Sequence, residues 1–223
     1  MITTLKVKRN NRNLPLELII LSASFFAIAL NLIKPTVQNR SDYLPPPEII
    51  KNMSAGLNHQ NSDAFWIRAI QDFDYCADLI SERTCAGKSW LFKILDLTTE
   101  LDKKFLEAYY YGGLSLSVII SDYDGATKIF DKGVLAFPQD RQLLYAAGYQ
   151  ALFEEKNKSK AAKYYFAAAE NGAPPWVRVM AGRLAAEGGE KEYAAKILEQ
   201  MITTSQDPAL IHRLKQKLSE VHK

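Results

Sequence analysis

Three sets of small residues recur at nearly constant spacing between Phe105 and Pro208, and this recurrence limits the chain to a narrow choice of folds. Ala126, Ala161 and Ala194 lie 35 and 33 residues apart, and four residues after each comes Phe130, Tyr165 or Leu198. Three further on stands Gly133, Ala168 or Met201, while Leu114, Gly148 and Gly182 repeat at 34 and 34 in the preceding half of each unit. Each of these last follows a small residue, Gly113, Ala147 or Ala181, and Pro138, Pro174 and Pro208 punctuate the ends. A small residue on each of two helices lets their backbones approach closely, and the larger side chain one turn later fills the space beside the contact. Proline then ends the unit because it cannot continue a helix. The pattern predicts helical hairpins that stack, an all-α fold.

These residues resemble the tetratricopeptide repeat, over roughly half of the chain. The first copy carries Tyr110, Gly113, Leu114, Ala126, Phe130, Gly133 and Pro138; the second carries Leu144, Ala147, Gly148, Ala161, Tyr165, Ala168 and Pro174. The third departs most, with Arg178 at a position that is usually apolar and Leu198 in place of the aromatic. Ser117, Ala151 and Ala185 stand where the family has a tyrosine late in the first helix. The resemblance implies a solenoid with repeats at about 105–138, 141–173 and 175–206, a divergent hairpin at 62–102 before them, and a capping helix at 208–222 after them. It also implies a concave surface lined by the first helices. Counted from Glu107, Arg141 and Pro175, that surface holds Tyr111, Tyr145, Tyr149, Phe153, Trp176 and Arg183, with Val118, Val179 and Glu187 among their neighbours. Tyrosine and tryptophan offer large, stiff contact area with a polar tip, so the expected use is a partner-binding groove.

The amino-terminal end reads differently. Residues 1–13 carry Lys6, Lys8, Arg9 and Arg12 with no acid, and Leu14 to Ile33 is an apolar run broken by Pro15, Glu17, two serines and Asn31. At about 1.5 Å per residue, twenty residues reach across roughly 30 Å of hydrocarbon, so the run predicts one transmembrane helix. Its basic flank orients the amino terminus to the cytoplasm and exports the rest. A cleaved signal peptide is the competing reading, with Ala27-Ile28-Ala29 as its cleavage site, but the apolar run continues past that point. Residues 34–47 form a spacer ending in Pro45-Pro46-Pro47, and 48–223 form the helical domain. Within it, 48–56 reads as a brief helix and 58–62 as a loop. Cys76 and Cys85 are the only cysteines; export would allow them to form a disulfide, with two buried free thiols as the alternative.

No catalytic constellation is legible. The net charge of +3 comes from the first 34 residues, beyond which 23 basic residues face 24 acidic ones, so nucleic acid is not an expected partner. Gly87-Lys88-Ser89 matches the tail of a phosphate-binding loop, but Glu82 occupies the required glycine position. His59, His212 and His222 have no companion ligand or nucleophile at useful spacing, so neither a metal nor another cofactor is expected. Asp122 and Asp124 read as surface charges at a helix end. The expected function is therefore a membrane-anchored scaffold or assembly factor of an envelope or secretion-type complex, not an enzyme. The alternatives are an exported helical domain binding a small molecule or lipid, an enzyme whose site forms only in the fold, or a structural spacer.

Overall fold

The helical periodicity of the sequence is realised as an α-only domain in a computed structural model, which describes residues 20–25, 46–52, 55–71 and 85–221. The chain divides into two compact units, Met1–Asp42 and Tyr43–Lys223. Of the first unit, residues 20–25 are described; they are helical and exposed, and Ser24 donates its hydroxyl hydrogen to the Ile20 carbonyl at 2.8 Å.

In the second unit a short 3-10 helix, Glu48–Lys51, precedes α1 (Asn58–Gln71) and α2 (Trp90–Leu101). Then come α3 (Leu106–Leu114), a π-helical segment Ser115–Ile120, and α4 (Tyr123–Ala136). The array continues with α5 (Arg141–Phe153), α6 (Lys158–Glu170), α7 (Pro175–Glu187), α8 (Lys191–Thr204) and α9 (Pro208–Val221). Each helix packs chiefly on the next in chain order. Side-chain oxygens at the turns accept from the first free amides of the helix that follows: Ser89 from Phe92, Asp140 from Leu143, and Asn157 from Lys160. Asp207 does the same for Ala209 at the start of α9, with Pro208 at its first position.

The small residues act where the helices touch. A Cβ added to Gly113 would lie 2.7 Å from the Phe130 ring, and one on Gly148 would lie 3.0 Å from the Tyr165 ring. The third unit shifts by one residue: Ile197, not Leu198, lies against Gly182. Two apolar clusters result, one from Ala69 to Ala147 and one from Ala151 to Leu214, and Tyr164 packs against both.

Four expectations change. First, no helix among the described residues is long and apolar enough to cross a membrane. The longest have 14 residues, about 21 Å, against a hydrocarbon core of roughly 30 Å. The expectation of a membrane anchor over Leu14 to Ile33 is corrected accordingly, together with the single-pass topology, the membrane as a partner and the exported location built on it; apart from 20–25, those residues lie outside the described ones. Secondly, no disulfide joins two described residues. Cys76 lies outside them, and Cys85, partly buried against the first cluster, is not a free thiol, so the expected Cys76–Cys85 bridge falls outside the described residues. Thirdly, residues 58–62 are helical rather than a loop, which places His59 in α1 with its Nδ1 3.0 Å from Asp102 Oδ2. Fourthly, Asp122 is fully buried. Its carboxylate accepts from the amides of Gly87 at 2.7 Å, Ser89 at 3.2 Å and Gly125 at 3.1 Å, capping α4 and fastening the loop before α2. The amides a phosphate would need at Gly87 and Ser89 are thus already engaged.

Candidate functional site

The exposed face of α5 is set by what the other face must bury. Leu143, Leu144, Ala146, Ala147, Gly148, Gln150 and Ala151 are buried, which leaves Tyr145, Tyr149 and Phe153, each four residues apart, in one stripe on the outside. In α7 the buried Val177, Ala181, Gly182, Leu184 and Ala185 likewise turn Trp176, Val179 and Arg183 outward. Tyr149 is 45% exposed and Trp176 53%, unusual for side chains of this size in a helix packed on both sides.

The rings are held together. Tyr145 meets Trp176 edge-on with centroids 6.1 Å apart, which links the stripes of α5 and α7, and it meets the buried Tyr165 of α6 at 5.2 Å. Tyr149 and Phe153 lie 4.5 Å apart. Burial, reinforced by the neighbouring Tyr145 and Tyr149, pushes the Tyr165 phenol above its ordinary value. The 3-10 helix Glu48–Lys51 packs on α2, where Lys51 pairs with Glu100 at 2.6 Å, and leaves this face uncovered.

The expected site residues are therefore not all brought together. Tyr145 with Trp176, and Tyr149 with Phe153, form two ring pairs along one exposed face. Tyr111 is exposed on α3, and its ring contact is with Tyr110 at 4.9 Å. Arg183 continues the α7 stripe, but its Nε lies 3.6 Å from Glu187 Oε1 and it borders a separate cleft.

That cleft, formed by α7, α8 and α9, escaped the sequence reading. Its volume is about 480 Å³, with Val179, Gly182, Leu198, Met201, Leu214 and Val221 along its floor. The signal in the sequence was faint: the small residues Gly182 and Ala186 one turn apart on α7, facing Leu214 and Val221 seven apart on α9. A polar network between α4 and α6 also went unread. Lys160 Nζ bonds Asp131 Oδ2 at 2.8 Å and Glu155 Oε2 at 2.9 Å, and the Tyr164 hydroxyl donates to Asp131 at 2.7 Å.

Among the described residues no group of histidine, cysteine, aspartate or glutamate side chains could hold a metal ion. His59 is largely exposed and its partner Asp102 only partly so, and what surrounds the pair is a helix end rather than a cavity. The arrangement offers contact surface and a cleft.

No protein family, curated protein or solved structure matches this chain. The resemblance to the tetratricopeptide repeat, and the anchored envelope scaffold inferred from it, are accordingly not carried forward; what stands is an all-α domain of consecutively packed helices.

Proposed function

We propose that this domain is a helical protein-interaction module that holds a partner against the aromatic stripe of α5 and α7. The observation that carries the reading is the exposed set Tyr145, Tyr149, Phe153 and Trp176, two ring pairs on a face that no described segment covers. Aromatic side chains of this kind contribute most of the binding energy at protein interfaces, because they bury much area while losing little rotational freedom.

The test begins with co-purification of the full chain and identification of stoichiometric partners, followed by affinity measurements with the purified partner. Tyr149→Ala and Trp176→Ala are each expected to weaken binding by about tenfold or more. Leu135→Ala removes an apolar side chain from α4 that is more exposed than either, outside the stripe, and is expected to leave affinity unchanged. Equal losses from all three substitutions, or none from any, would refute the stripe as the contact surface.

A further inference from the structure

The cleft between α7, α8 and α9 is lined in two zones. Its floor is apolar, and Gly182 and Ala186 on α7 carry too little side chain to fill it while α9 leans on α8 through the buried Leu214. Its rim bears three cations, Arg183, Lys191 and Lys217, and two acids, Glu187 and Glu220. Those acids are already engaged. Glu187 Oε2 lies 2.8 Å from Lys158 Nζ, and Glu220 lies 2.6 Å from Lys217. Lys191 takes part in no ion pair among the described residues, and Arg183 is 71% exposed beside a carboxylate that a nearer lysine already holds. The rim thus carries one more cation than acid, and Lys158, which holds Glu187 from outside the cleft, adds a further positive charge nearby.

We infer that this cleft binds a single-chain anionic amphiphile, with its alkyl tail on the floor and its acidic head among Arg183, Lys191 and Lys217. The volume lies within the range of roughly 300–1,000 Å³ typical of clefts that enclose small ligands. An alkyl chain is narrow enough to lie in the cleft, and the excess positive charge selects an anionic head over a cationic one. The inference does not depend on the partner-binding reading, because the four rings that carry that reading, Tyr145, Tyr149, Phe153 and Trp176, do not line the cleft, although Val179 and Arg183 of the same α7 face do.

Titration calorimetry of the full chain with dodecanoate, below its micelle-forming concentration, tests the assignment. One dodecanoate per chain is expected, with affinity rising about fourfold per methylene from decanoate upward until the floor is covered. Dodecyltrimethylammonium, with the same tail and the opposite charge, is expected to bind at least tenfold more weakly. Ala186→Trp places a large ring into the cleft from an exposed helix position and is expected to weaken dodecanoate binding tenfold or more. Lys217→Glu, at a side chain 69% exposed, reverses one rim charge without touching the core and is expected to weaken it several-fold. Tyr149→Ala is expected to bind dodecanoate like the wild type, so this inference and the partner reading fail separately. Absence of dodecanoate binding, equal binding of the cationic amphiphile, or wild-type affinity in folded Ala186→Trp would each overturn the assignment; if Ala186→Trp does not fold, Lys217→Glu and the charge comparison decide it alone.

Discussion

Asp122 shows how one side chain can hold two elements in place. A fully buried carboxylate is tolerated because three backbone amides, from Gly87, Ser89 and Gly125, replace its lost hydration. Asp122→Ala would leave those amides without their acceptor, removing a helix cap worth about 0.5–2 kcal/mol as well as two bonds to the loop before α2. A loss of about 2–4 kcal/mol in urea unfolding is expected, with Asp122→Asn in between, since its amide keeps one acceptor oxygen and sets a donor nitrogen where the other stood. A loss under about 1 kcal/mol for the alanine variant would mean that water satisfies these amides equally well. In the sequence, Asp122 was legible as a helix start but not as buried. Burial depends on Gly87 and Ser89, more than thirty residues earlier, which no local pattern connects to it.

At the scale of elements, close approach of helices outweighs intrinsic propensity. Glycine inside a helix costs about 1 kcal/mol relative to alanine, so propensity alone would make Gly113→Ala stabilising. The added methyl would lie 2.7 Å from two atoms of the Phe130 ring, which is buried in the α3–α4 contact and has little room to move. Gly113→Ala is therefore expected to destabilise by about 1–3 kcal/mol in urea unfolding, and a gain in stability would show that the ring can shift aside. The glycine and alanine spacing made this pairing visible in the sequence. It did not reveal the π-helical turn at Ser115–Ile120, whose wider winding buries both Leu116 and Ile120 while Val118 and Ile119 face outward. Nor did it show the one-residue shift that places Ile197 against Gly182 and frees Leu198 to line the cleft. Both are compromises among neighbouring helices, reached only when all of them pack.

For the molecule as a whole, the tyrosines predict the alkaline limit of the fold. Burial raises the pKa of Tyr109, Tyr164, Tyr165 and Tyr193 above the ordinary 10.0, with Asp102, a hydrogen bond to Asp131, Tyr145 and Glu170 respectively adding to it. At Lys160 burial acts to lower the pKa, but the hydrogen bonds to Asp131 and Glu155 prevail and raise it. In each case the folded chain holds the proton more tightly than the unfolded chain. The resulting stability is fully present below the unfolded values and is lost as pH rises through the folded ones, beginning near pH 10 for the tyrosines. Tyrosinate absorbance from these residues is expected to rise together with loss of helical circular dichroism. Their ionisation in a chain that keeps its helicity would show that water reaches the phenols. The sequence by itself determined that the domain is helical, where most helices begin, and which face of α5 and α7 carries the aromatics, because capping, proline placement and a 3.6-residue period act within a few turns of chain. The tertiary structure alone decided that four of the six expected site residues meet in two ring pairs, that Tyr111 stands apart, and that α7, α8 and α9 leave a cleft beside Arg183. These depend on the distances between helices, which side-chain volumes from distant parts of the chain set jointly.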